Sequence, residues 1–407
     1  MGRSFRWLLA SAWTSYLGDG LALAAGPLLV ASQTNNAMLV ALAALFQRLP
    51  WLVFGLYAGA LADRVDRRRM VMVADGMRAV VVAALAVFIV SGEINIAMVL
   101  TVMLLLGISE VFAHSAWTTL LPMLVRPDDL GLGNARLQAG YLVGGQMAGP
   151  PIGAFLFAAG MAVPFVAQAV LVGLSVLLVA QVVTPKGPPR EVGETHIRRD
   201  IADGLRWLWH HDAVRTLALV IVAFNITWAA AWAVLVLYAL NHLHMTEVGF
   251  GFLTTSAAIG GLLSAVMYRR IEQRFDLATI MRACLSLEVI SHLAFAVTTQ
   301  AAVAIVIMFV FGAYAFVWFA VSQTVRQRST PLALQGRVGA AYMVCVYGGI
   351  VAGQALGGWI AEHWGLTAPF WFAFVGSGVT LALVWRQLAA IAHAPPAVDH
   401  PEFPLPT

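Results

Sequence analysis

Apolar runs of about twenty residues recur from one end of this 407-residue chain to the other, each long enough to cross a bilayer as a helix. Twelve are predicted, near 7–31, 38–62, 70–91, 94–118, 137–160, 162–184, 214–240, 249–268, 277–299, 301–324, 338–361 and 366–388. Hydrocarbon offers no partner to a free N–H or C=O, so such runs imply an all-α membrane protein. Composition agrees. The chain is 60% hydrophobic and 11% charged, against about 25% charged in soluble domains.

The connections alternate in charge. Arg3 and Arg6, Arg64 and Arg67–Arg69, Arg126, Arg136, Lys186, Arg190, Arg198, Arg199, Arg206, Arg269, Arg270, Arg274, Arg326, Arg328, Arg337 and Arg386 fall at one set of ends. The opposite turns, 32–37, 91–95, 241–248 and 362–366, hold no lysine or arginine. Positive residues stay in the cytoplasm, so both termini are expected there. The net charge of +4 is explained by this one-sidedness, and no nucleic-acid partner is expected. Arg3 and Arg6 precede an apolar stretch without a small-residue cleavage site, which reads as a retained first helix.

The longest connection divides the chain into a bundle at 1–184, a linker at 185–212, a second bundle at 213–390 and a proline-rich tail at 391–407 that reads as disordered. Pro185, Pro188 and Pro189 interrupt the linker. Beyond them Ile197, Ile201, Leu205 and Leu208 recur at helical spacing among arginines. That pattern fits a helix on the inner membrane surface or one packed on the bundle ends. The halves echo each other: Gly145, Gly149 and Gly153 recur as Gly349, Gly353 and Gly357, offset by 204 residues. Glycines four apart allow close helix approach, and the constant offset indicates duplication. Cys284 and Cys345 lie in apolar runs without metal spacing, and no phosphate-binding loop or H-E-x-x-H motif occurs. No cofactor, metal or enzymatic activity is expected.

The run Gly59-Ala60-Leu61-Ala62-Asp63-Arg64-Val65-Asp66-Arg67-Arg68-Arg69 resembles the G-x-L-A-D-R-x-G-R-R loop of major facilitator superfamily transporters, with Asp66 in place of the second glycine. Gly145-Gln146-Met147-Ala148-Gly149-Pro150-Pro151-Ile152-Gly153 is similar to that superfamily's G-x-x-x-G-P-x-x-G-G antiporter motif, with Ala154 replacing the last glycine. Pro150 and Pro151 remove two backbone donors and are expected to bend the span. Leu17-Gly18-Asp19, Leu49-Pro50 and Leu121-Pro122 extend the resemblance to the bacterial branch of enterobactin, macrolide and multidrug exporters. The resemblance implies twelve helices in two pseudo-symmetric six-helix bundles around a central cavity, and alternating access by rocking. It further implies a monomer in the bacterial inner membrane that exports an amphiphilic or drug-like molecule against protons. An importer of a small metabolite on the same fold, or a non-transporting sensor, are the rival readings. In the family the loop network, here Gly59, Asp63, Arg64, Arg67 and Arg68, holds the cytoplasmic ends of the halves together.

Charges within spans are expensive and point to function. Asp19 and Arg48 fall at equal depth if spans one and two form a hairpin about Asn35, either as a protonatable acid controlled by an arginine or as a static pair. Glu110 and His114 share a face of span four, with Arg78 at similar depth if spans three and four fold about Gly92. The family's span-four arginine is missing, and Glu110 stands there without a positive partner on its face. That makes it the expected proton carrier. His114 reads first as an ordinary cavity or interface histidine and second as a partner in that proton's path. Glu288 and His292 repeat the spacing in span nine, peripheral in the resembled fold, where packing is expected. From the spans that line the cavity of that fold come Tyr16, Asn225, Trp228, Trp232, Tyr314, Trp318 and Gln323, suited to bulky amphiphilic or cationic substrates unless they serve packing.

Overall fold

The computed structural model describes residues 2–126, 129–183, 197–331 and 334–392, and among these there is no strand. Six helices form the first half: α1 Arg3–Gln33, α2 Ala37–Arg64, α3 Arg67–Ser91, α4 Ile96–Leu124, α5 Leu130–Ala159 and α6 Val163–Val179. A connecting helix, α7 Ile197–His210, leads to α8 Asp212–Trp232, α9 Glu247–Arg274, α10 Leu277–Val297, α11 Ala301–Arg328, α12 Gln335–Trp364 and α13 Ala368–Val384. A short α14, Gln387–Ala392, follows. Nine described helices are long and apolar enough to span a bilayer, and Val163–Val179 and Ala368–Val384 are shorter apolar ones. At 17 residues the shorter pair reach about 26 Å. With α1, diluted by Ser11, Thr14, Ser15 and Asp19, the arrangement is consistent with twelve spans.

The short turns begin helices by side-chain caps. Asn36, Asp66, Asn95, Thr246 and Asp276 each accept a bond from the backbone N–H three residues on, satisfying a donor that the first turn leaves open. Asp66, which departs from the family loop, is therefore the cap of α3.

Packing repeats between halves. In the first, α1 lies on α5 and α6, α2 on α4, and α3 on α4 and α6. In the second, α8 lies on α12 and α13, α9 on α11, and α10 on α11 and α13. The halves meet along α2 with α12 and α5 with α9, contacts that exchange under the same correspondence. The glycine triplets make close seams: a Cβ on Gly20 of α1 would sit 2.6 Å from the Gly144 and Gly145 carbonyls, and Gly357 of α12 abuts the backbone of Ala230 in α8.

Two spans depart from simple helices. In α5 the turns from Tyr141 to Ala148 widen to π geometry just before Gly149 and the two prolines. The expected interruption of the ladder is absorbed as wide turns within one span. The seventh span breaks after Trp232 and resumes as Leu235–Leu237 and a π turn, Tyr238–His242. This places the Tyr238 hydroxyl 2.6 Å from the Phe295 carbonyl and 3.2 Å from that of Thr298. Of the two readings for the linker helix, packing describes its inner edge. Leu208 is buried and Gly204 abuts the Arg337 carbonyl of α12, while Trp209 remains exposed. Lys186 and Arg190, the linker prolines and the tail beyond residue 392 lie outside the described residues.

Candidate functional site

Between the halves lies a cavity of about 1420 Å³. Its lining descends to Asn134, beside Arg136, and to Gly339, beside Arg337, so it opens toward the arginine-rich ends. The other end is shut. Glu362 of α12 accepts bonds from Asn36 Nδ2 (2.8 Å) and from the backbone N–H of Ala37 at the start of α2 (3.1 Å). Gly358 is packed there against Ala41 and Met38. A carboxylate on a helix N-terminus is favoured by both the free N–H groups and the helix dipole.

The first half supplies the charges. Arg78 of α3 lies 3.1 Å from Asp19 on α1 and 3.3 Å from Asp75, one turn back on its own helix. It also donates to Ser15 Oγ at 2.6 Å. Asp75 is fully buried, and Ser175 Oγ of α6 reaches it at 3.4 Å. Asp19 is 41% exposed and faces the cavity. In the same half Arg48 of α2 lies 3.7 Å from Glu110 of α4, both partly exposed. The expected Asp19–Arg48 pair is thus replaced by Asp19–Arg78 and Glu110–Arg48. The reason is helix order in space: α2 packs along α4 and touches α1 only slightly, so the hairpin about Asn35 does not set the partners. Glu110 accordingly has a positive neighbour, contrary to expectation, and Arg78 turns away from it toward α1. Asp75 was missed, although an acid three residues before an arginine inside an apolar run was a usable signal.

Aromatic rings complete the walls. Trp51 of α2 stands edge-on to His114, ring centres 5.2 Å apart, and stacks on Tyr347 of α12 at 5.3 Å with planes 14° apart. Tyr16 meets Tyr141 edge-to-face, and Trp228 and Trp232 gather around Phe311. Of the expected cavity residues, Tyr16, Trp228 and Trp232 line it. Tyr314 and Trp318 are instead buried in the core of the second half, Asn225 packs against Gly349, and Gln323 bonds Arg326. They sit on the expected helices but on faces turned from the cavity. Trp51, Trp117, Tyr141 and Tyr347 line it without having been anticipated.

A sequence profile of the family described as "Transmembrane secretion effector" matches residues 2–400. The chain belongs to this major facilitator family. Among curated relatives, the multidrug efflux pump Tap of Mycolicibacterium fortuitum is 29% identical over 383 residues, covering 89% of this chain and 90% of Tap. Macrolide efflux protein A of Streptococcus pyogenes is 26% identical over 57% of this chain and 58% of its own length. The enterobactin exporter EntS of Shigella boydii serotype 4 is 24% identical over 97% and 95%. Solved structures share the fold: a nucleoside transporter NupG mutant superposes with TM-score 0.76 at 11% identity over 96% of this chain and all of that one. A bacterial ferroportin homologue in an inward-facing state gives 0.74 at 16% over 96% and 99%. This is therefore a multi-pass membrane transport protein, not an enzyme.

Within this facilitator the motif residues divide by contact. Gly145, Gly149 and Gly153 face α1, Gly149 directly against Gly20, and Pro150 lies beside Gly251 of α9 at the junction of the halves. In the loop, Arg67 Nε donates to the Ala62 carbonyl at 3.1 Å and Arg68 bonds the Ala180 carbonyl, both within the first half. Gly59 has open space beside it. The side chains of Asp63 and Arg64 lie outside the described residues, so the expected network between halves is not seen there.

Proposed function

We propose that this facilitator exports small amphiphilic cations from the cytoplasm in exchange for protons. The observation that carries the reading is the charge balance of the cavity layer. Three carboxylates, Asp19, Asp75 and Glu110, are grouped with two guanidiniums, Arg48 and Arg78. One negative charge is left over beside an aromatic wall. In a low-dielectric site that charge calls for a proton or a cation, and the two compete for it. Glu110 is the exchanging acid: it is partly exposed to the cavity and held by a single, 3.7 Å contact. Asp19 and Asp75 share the tighter grip of Arg78. His114 lies one turn from Glu110 but touches Trp51, which suits a sensor of Glu110's charge better than a carrier. Trp228, Trp232, Trp51 and Tyr141 supply stacking and cation–π contact.

The efflux relatives support export, and the arginine-rich ends are assigned to the cytoplasm. In that orientation the described conformation faces inward, and rocking of the halves would expose the cavity outside. Cysteines at Asn35 and Gly92 should react with an impermeant thiol reagent from outside and one at Val65 should not. For coupling, the probe is tetraphenylphosphonium in inside-out vesicles carrying a proton gradient. The wild-type protein should accumulate it and collapse the gradient; Glu110→Gln should lose most of both while still exchanging the probe slowly. Undiminished proton flux with Glu110→Gln would remove Glu110 from the mechanism.

A further inference from the structure

Behind the cavity wall of the second half stand two ionisable groups that the exchange described above does not use. Glu288 and His292 lie one turn apart on the inner face of α10, 9% and 0% exposed. Among the described residues no opposite charge acts on Glu288, and neither ring nitrogen of His292 has a hydrogen-bond partner. The edge of Trp232 meets the His292 ring with centres 6.1 Å apart and planes at 84°. Trp232 itself lines the cavity, so a single indole separates His292 from it. We propose that Glu288 and His292 form a second proton-binding site. It rests on the proton-exchange reading only for its role in transport, not for its existence.

The surroundings support it. Facing groups are Cys284 on the same helix and Tyr314 on α11, both within electrostatic reach of Glu288. Tyr268 and Glu272 of α9 lie near Cys284 and Tyr268 respectively. Arg282 is turned to the Trp385 carbonyl, and α13 and α14 carry no charged or titratable side chain. A carboxyl without a counter-charge in such a place holds a proton rather than a bare charge. An imidazole one turn away, with both nitrogens open, is a group through which that proton can pass. Packing alone would not leave two imidazole nitrogens unsatisfied in a buried core. Pseudo-symmetry sharpens the contrast. Helix α10 corresponds to α3 and α8 to α1, and in the first half the buried acid of α3, Asp75, is neutralised by the fixed cation Arg78. The second half puts an exchangeable proton where the first has an arginine.

The test counts protons released when tetraphenylphosphonium binds the purified full chain in lipid nanodiscs under weak buffering. Two per protein are expected for wild type, one for Glu288→Gln, one for Glu110→Gln and none for the double variant. His292→Asn should keep the count but slow the second release. A count and pH profile unchanged by Glu288→Gln would overturn the site. If wild type releases none, the exchange reading fails by itself. The site is then read from the infrared carbonyl band of a protonated buried carboxyl: loss of that band in Glu288→Gln supports it, and no such band overturns it. Glutamine has the shape of a protonated glutamate, so a Glu288→Gln chain that cannot fold would also count against the proposal.

Discussion

Arg78 has two acids to satisfy, and their environments differ. Asp75 is sealed between α3 and α6, whereas Asp19 opens to the cavity. Removing the guanidinium leaves Asp75 without its counter-charge, and breaking a buried pair from one side costs about 3–5 kcal/mol. Arg78→Gln should therefore lower stability in detergent unfolding by about that amount, and Asp75→Asn added to it should restore most of the loss. Equal stability of the single and double variants would show that Asp75 does not depend on Arg78. Asp19→Asn should unfold no more easily than wild type by more than about 1 kcal/mol, because Arg78 retains Asp75.

At the level of helices, the glycine seams decide which elements move together. Gly149 faces Gly20 with no room for a side chain, while Gly59, prominent in the loop pattern, has nothing within 4 Å of its missing Cβ. Gly149→Val should force α5 from α1 and cost about 1–3 kcal/mol, visible as a lower melting temperature and reduced folded yield. Gly59→Ala should melt at or above the wild-type temperature, and a large loss there would mean that α2 meets a neighbour the described conformation does not show. These elements were legible in the sequence because span length, arginine alternation and the 204-residue glycine offset are local or periodic signals. Partnership was not. Arg48 and Asp19 sit at matching depth on consecutive spans, yet depth says nothing of azimuth, and α2 turns its arginine to α4. For the same reason Tyr314 and Trp318 were placed on the right helix and the wrong face.

For the whole molecule, the balance between inward and outward states is set where the halves touch. At the closed end Glu362 bridges α12 to the first turn of α2 through two bonds. Hydrogen bonds to a charged group contribute about 1.5–3 kcal/mol each, a factor of about ten to a hundred apiece, so Glu362→Ala, which removes both, should shift the conformational balance by at least about a hundred-fold. The readout is the labelling rate, from the Asn35 side, of a cysteine at Val40, which is buried against the closed end. An unchanged rate would mean that other contacts hold that end shut. Nearer the middle, the stack of Trp51 on Tyr347 joins α2 to α12 in the same way, with His114 on its other edge. These rings must part, or slide, whenever the halves rock. A flat cation thin enough to wedge between them would be gripped by both halves at once, and would turn from passenger into brake.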